Sequence, residues 1–160
     1  MIWLVPLLLA LHNAEEALFF PRYLPLVLAR LPSTWQAVAG PITLGQVWLA
    51  LALVTLIPLG LAAWAARGQS PLALWLLLLI QATILLNVFW HVAAAALFFD
   101  GYAPGLVTAL AVNLPFSIYL LRRAAREEWV SVRARWALLP GALALHGPAL
   151  SGILLLTERL

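Results

Sequence analysis

Residues 71–99, PLALWLLLLIQATILLNVFWHVAAAALFF, decide how this chain is read. The run is apolar for longer than the roughly 20 residues a helix needs to cross about 30 Å of hydrocarbon. Turn signals bound it on both sides. Arg67-Gly68-Gln69-Ser70-Pro71 precedes it, with proline at the first helical position, and Asp100-Gly101-Tyr102-Ala103-Pro104-Gly105 follows. Working outward, similar apolar runs predict helices over residues 2–20, 42–66, 104–121 and 136–156. Pro21 is expected to end the first helix and Pro58 to kink the second. Between them, residues 22–41 read as a loop with Ser33 as an N-cap, and residues 24–28 as an interfacial stretch too short to span. Residues 122–135 read as a charged helical extension in water. The expected fold is all-α, a polytopic transmembrane bundle of about five helices forming a single transmembrane domain, residues 1–160.

Composition supports a lipid solvent. Of the 160 residues, 65% are hydrophobic and 9% charged, with a mean hydropathy of +1.02, whereas a soluble domain is about half apolar and a quarter charged. The net charge of +3 does not point to nucleic acid. Its basic residues, all arginine, sit between apolar runs where they orient helices. Without lysine there is no Schiff base, and without cysteine no disulfide or thiolate site. The first apolar run lacks a positive leader and carries His12, Glu15 and Glu16, so it reads as a retained helix. Arg67, Arg122, Arg123, Arg126, Arg133 and Arg135 fall on one side of a five-span arrangement, against Arg22, Arg30 and Arg159 on the other. This bias predicts a multi-pass protein of the cell membrane with a cytoplasmic N-terminus and a cytoplasmic 122–135 segment.

The polar residues at membrane depth carry the chemistry. Counting inward from the outer helix ends at about 1.5 Å per residue, His12 and His91 lie roughly 12 Å deep, Asn113 about 14 Å and His146 about 15 Å. Glu16 lies about 6 Å deep by the same count. Four helices thus bring a polar residue to one layer. His12 and Glu16 are spaced i,i+4, and His12 and Glu15 i,i+3, so both carboxylates reach the histidine's side while diverging by about 100°. Asn87 and His91 repeat the i,i+4 spacing on their helix. Ionised carboxylates in hydrocarbon cost several kcal/mol, roughly, so they should face the bundle interior, compensated by a cation or a proton. A purely structural cluster would serve helix packing, but uncharged residues would do that at lower cost.

His12-Asn13-Ala14-Glu15-Glu16 resembles the motif that names the HXXEE family of small membrane proteins. The similarity extends over most of the chain, through Asn87, His91 and the Tyr102-Ala103-Pro104-Gly105 turn. It implies a shared fold and a shared centre on His12, Glu15 and Glu16, and it supplies no reaction.

Histidine and carboxylate suit zinc, iron or manganese, and helices supplying such pairs build metal sites inside bundles. The expected site therefore holds a divalent ion on His12, Glu15, Glu16 and His91. Glu15, Glu16 and His12 act as catalytic groups, and Asn87, Asn113, His146, Trp90 and Tyr102 surround them. The pattern is not the HExxH signature, so protease chemistry is not carried over. Gln46 and Gln81 read as packing contacts, and Glu127 and Glu128 as a solvated charged surface. The function expected first is an intramembrane enzyme, hydrolase or acid/base isomerase, acting on a lipid-like or apolar substrate among membrane lipids. The alternatives are a proton- or ion-coupled transporter, which with five spans would work as a homo-oligomer, and a structural membrane subunit.

Overall fold

The computed structural model describes residues 1–30, 42–68 and 70–149. The 31–41 segment with Ser33, the outer part of the fifth expected helix and Arg159 lie outside the described residues. Among the described residues every regular element is helical: α1 (Leu4–Arg30), α2 (Leu44–Gly68), α3 (Pro71–Leu97), α4 (Leu106–Thr108), α5 (Leu114–Arg126), α6 (Val132–Trp136) and α7 (Leu138–Ala144). Two π-helical stretches join this series, Ala109–Asn113 between α4 and α5, and Leu145–Ala149 after α7.

The first helix departs from its expected end. Pro21 and Pro25 lie inside α1, which runs unbroken to Arg30 and takes in the 24–28 stretch read as an interfacial loop. Proline at 21 removes the amide that would bond the carbonyl of Ala17. Trp48 of α2 supplies the missing donor, its Nε1 lying 3.3 Å from that carbonyl. A neighbouring side chain thus satisfies the freed backbone group, as a helix in an apolar surround requires. The other end of the chain departs too. The expected helix over 136–156 begins as two short pieces, α6 and α7. Trp75 of α3 donates from Nε1 to the Ala134 carbonyl within α6, at 3.0 Å.

α3 starts where Ser70 caps it, its Oγ accepting from the Ala73 amide, with Pro71 at the first turn. Between α4 and α5 the chain shifts into π register just before Pro115, whose ring cannot follow a regular turn. The first amides of α4, like those of any helix, have no carbonyl of their own helix to bond, and this matters for the site.

Val5 and Leu9 of α1, Ala62 and Ala65 of α2, Leu77 and Leu78 of α3, and Leu120 and Ala124 of α5 form the main apolar core. Ala62 and Ala73 are fully enclosed (0% exposed), so helices approach closely there through small residues. Asn13 pins α1 to α2 by donating from Nδ2 to the Leu51 carbonyl (3.2 Å) and to Thr55 Oγ1 (2.7 Å). Gln81 is buried and donates to Ser117 Oγ at 2.6 Å, a packing contact as its sequence position suggests. Glu127 pairs with Arg123 at 2.6 Å on the exposed surface. Immediately beyond Leu9 on α1 the apolar core gives way to polar groups.

Candidate metal centre

His12 and His91 are buried, and their rings meet edge to face with centroids 4.8 Å apart. Glu16, one turn along α1 from His12, places Oε1 3.1 Å from His91 Nε2 and 3.7 Å from His12 Nε2. One ligand atom from each of the three residues falls within 4.8 Å of the others. Atoms bound to a tetrahedral ion at about 2.0–2.2 Å stand roughly 3.4 Å apart, so the group is close to the spacing such an ion needs. Three protein ligands with a further position open is the donor set of a catalytic zinc site. Glu16 keeps 19% of its side chain exposed, so the group is not sealed.

Asn87 is the hub of the cluster. Its Nδ2 lies 3.2 Å from His12 Nε2 and 2.9 Å from His91 Nε2, while its Oδ1 lies 2.9 Å from His146 Nε2. In this orientation the amide donates to both ring nitrogens that face Glu16, and His146 donates to Asn87. Both Nε2 lone pairs then accept from Asn87 beside the Glu16 carboxylate, so an ion taken up there would take the place of these amide contacts. With the amide turned over, the same position offers an oxygen instead.

Glu15 faces elsewhere. Its Oε1 accepts from Tyr102 OH at 2.8 Å and from the Val107 amide at 3.2 Å. Its Oε2 accepts from the Thr108 amide at 2.7 Å and the Thr108 hydroxyl at 2.6 Å. The first amides of α4 are thus capped by a carboxylate from another helix. All four partners are donors, the setting of an ionised carboxylate. Since the Thr108 hydroxyl gives its proton to Glu15, its oxygen accepts from His12 Nδ1, 2.9 Å away. That contact places the proton on Nδ1, so Nε2 carries the lone pair that accepts from Asn87 and that an ion would use. The chain Glu15–Thr108–His12 is a carboxylate-to-histidine relay of the kind that orients metal-bound imidazoles. Glu15 was expected as a ligand and acid/base group; both its oxygens are already occupied, so the structure separates it from the ligand group.

Gly105 closes the centre from above. Its φ of +88° is one that side-chain-bearing residues rarely adopt, and a Cβ there would lie 2.8 Å from Cε1 of both His12 and His91 and 2.9 Å from Glu16 Cγ. The residues present therefore fit a small cation: three donor atoms, an oriented imidazole and a glycine whose lack of a side chain lets the backbone come close to both rings and Glu16. Residues 3–120 match the family described as "Protein of unknown function with HXXEE motif". The chain belongs to the HXXEE family. Its motif thus supplies two separate devices, His12 and Glu16 to the centre and Glu15 to the support. A relative from Bacillus subtilis (strain 168), "Uncharacterized protein YrkK", is 26% identical over 108 residues, covering 67% of this HXXEE chain and 63% of the relative. No solved structure matches the chain.

The remaining expected residues divide. Tyr102 and His146 reach the cluster through Glu15 and Asn87 respectively. Trp90 is 55% exposed and meets His146 edge-on, with centroids 6.3 Å apart. Asn113 does not join the cluster; it is buried at the end of the π stretch with Nδ2 unpartnered among the described residues. Thr108 and Gly105 are the functional residues that the sequence reading passed over. Thr108 is a hydroxyl in an otherwise apolar run, and Gly105 stands where a turn delivers the chain to the polar layer.

Proposed function

We propose that this HXXEE chain is a small multi-pass enzyme of the cell membrane with a cytoplasmic N-terminus. A divalent ion held by His12, Glu16 and His91 would serve hydrolysis or isomerisation of a lipid-like or otherwise apolar substrate. The observation that carries this reading is the convergence of two imidazole nitrogens and one carboxylate, with a second carboxylate orienting one imidazole through Thr108. Purely structural clusters do not need that division of labour. Zinc, iron and manganese all suit the donor set.

The membrane setting rests on α2 and α3, whose most apolar windows have mean hydropathies of 2.2 and 2.3 with only 22% and 39% of their residues buried. A soluble protein's apolar helix would be mostly enclosed; here Leu56, Ile57, Trp64, Leu72 and Phe89 face outward. Lipid is the solvent that suits those faces.

Within the site each side chain has a task. Asn87 holds the Nε2 sides of His12 and His91 together and links them to His146. Glu15 positions Thr108, and through it His12. Glu16, with 19% of its side chain exposed, is the carboxylate left to bind the ion. The bound ion would supply Lewis-acid polarisation of an oxygen or activation of a water.

Elemental analysis of detergent-purified protein tests the reading. About one zinc, iron or manganese per chain is expected, lost in His12→Ala and His91→Ala variants that remain folded and monodisperse. Metal-free protein that moves protons across liposome membranes would replace it with the transport reading. Metal-free protein that moves none would leave a structural cluster.

A further inference from the structure

Glu15, Phe19, Arg22, Leu26 and Arg30 recur along α1 at helical spacing and share one face of it. That face lines two adjoining depressions. The larger, a cleft of about 580 Å³, is bordered by Glu15 and Thr108 of the relay, by Phe19, Tyr23 and Tyr102, and by Arg22. Its volume falls in the range of small-molecule sites. The smaller, about 230 Å³, shares Arg22 and Tyr23 and adds Arg30, Phe99 and Asp100. The aromatic rings form a continuous wall. Phe19 packs on Tyr102, and Tyr23 touches both Tyr102 and Phe99, with centroids 5.3–5.9 Å apart. Arg30 lies over the Phe99 ring at 5.8 Å. Neither Arg22 nor Arg30 forms an ion pair among the described residues, although Asp100 borders the same depression. Two unpaired cations beside one acid leave this end of the cleft positive.

We infer that this cleft binds an amphiphile carrying an anionic group, its charge held by Arg22 with Arg30 nearby and its apolar chain laid along the aromatic wall toward Glu15. Seven residues separate Glu15 from Arg22, about 10 Å along the helix, so an anion at Arg22 places atoms about that far down the chain beside the relay. Guanidinium groups match phosphate and carboxylate oxygens in pairs, and aromatic walls accept alkyl chains without ordering water. The inference names the substrate class for the proposed enzyme and so rests on that reading, yet the binding itself needs no metal.

The test is retention of hexadecyl phosphate by the full chain in neutral detergent, counted by native mass spectrometry and compared with hexadecanol and hexadecylphosphocholine. One hexadecyl phosphate per chain is expected, held about tenfold or more tightly than either comparison molecule. Arg22→Gln should remove that preference, Arg22→Lys should leave an intermediate one because the charge stays and the paired match is lost, and Arg67→Gln, on a distant helix end, should leave it unchanged. Excess inorganic phosphate should not displace the amphiphile. Full displacement by inorganic phosphate would make this a phosphate site and overturn the amphiphile. Equal binding of all three chains, or equal loss with Arg67→Gln, would overturn the cleft. Repeating the measurement on His12→Ala separates the two proposals, because the cleft should bind as before when the metal is gone. Metal binding without a charge preference would sink the cleft alone.

Discussion

Glu15 and Glu16 are neighbours in sequence, yet α1 delivers them to opposite surroundings. Glu15 lies among hydrogen-bond donors only: two amides at the start of α4, a threonine hydroxyl and a tyrosine hydroxyl. Glu16 lies among imidazoles, with one oxygen facing His91 and His12. A helix rotates by about 100° per residue, and that rotation alone sends adjacent side chains to different neighbours. The contrast teaches that one acid has both oxygens held by fixed donors while the other faces two imidazoles. A carboxylate whose lone pairs are filled by fixed donors is a rigid support, whereas one beside imidazole lone pairs has an unmet need for positive charge.

The largest effect should come from Gly105, which touches the Glu16 side of this contrast. Gly105→Ala places a methyl against both imidazoles and Glu16, at a φ that disfavours any side chain. Metal content should fall below detection and thermal stability should drop by about 1–3 kcal/mol. Metal retained at the wild-type level would show that the ion does not depend on the positions of the two rings and Glu16 against Gly105. The two acids themselves give the next test. Glu16→Gln should abolish metal retention, while Glu15→Gln should weaken affinity by about 10–100-fold, the usual effect of removing a group that orients a ligand. Equal losses in a metal titration of the two variants would erase the distinction between ligand and support.

The sequence made the helical class and the shared polar layer readable because both follow from local rules. Apolar length marks a span, and spacing along a helix marks a face. His12, His91 and His146 were legible for that reason, since each is a polar residue at a matching distance from a helix end, and Asn87 because it stands four residues before His91 on one face. The role of each glutamate was not, because it depends on what another helix presents. Two capping amides of α4 and the hydroxyl of Thr108 decide it, and all three come from a helix 92–93 residues further along the chain. Pro21 gave the opposite error. By local rules it ends a helix, and only the indole of Trp48, 27 residues away in sequence, makes continuation possible. Asn113 matched the layer by depth, yet its Nδ2 finds no partner among the described residues and it stays outside the cluster.

Tyr102 offers the smallest and cleanest way to sharpen the contrast. It sits in the turn between α3 and α4 and donates to Glu15, so it belongs to the support and touches no ligand of the ion. Burial, and then its hydrogen bond to Glu15, push its phenol above the ordinary tyrosine range. The folded protein therefore keeps a proton that the unfolded chain releases near pH 10. The contribution of this bond is complete below that pH and declines as pH rises beyond it, because only the unfolded state then gains from ionisation. Tyr102→Phe should lower metal affinity by no more than about fivefold, since three donors still hold Glu15. It should also flatten the alkaline slope of stability between about pH 10 and 11, measured by unfolding in detergent. A loss of metal as complete as that of Glu16→Gln would mean that Tyr102 acts on the ion directly, and the division between a supporting and a reactive glutamate would fail with it.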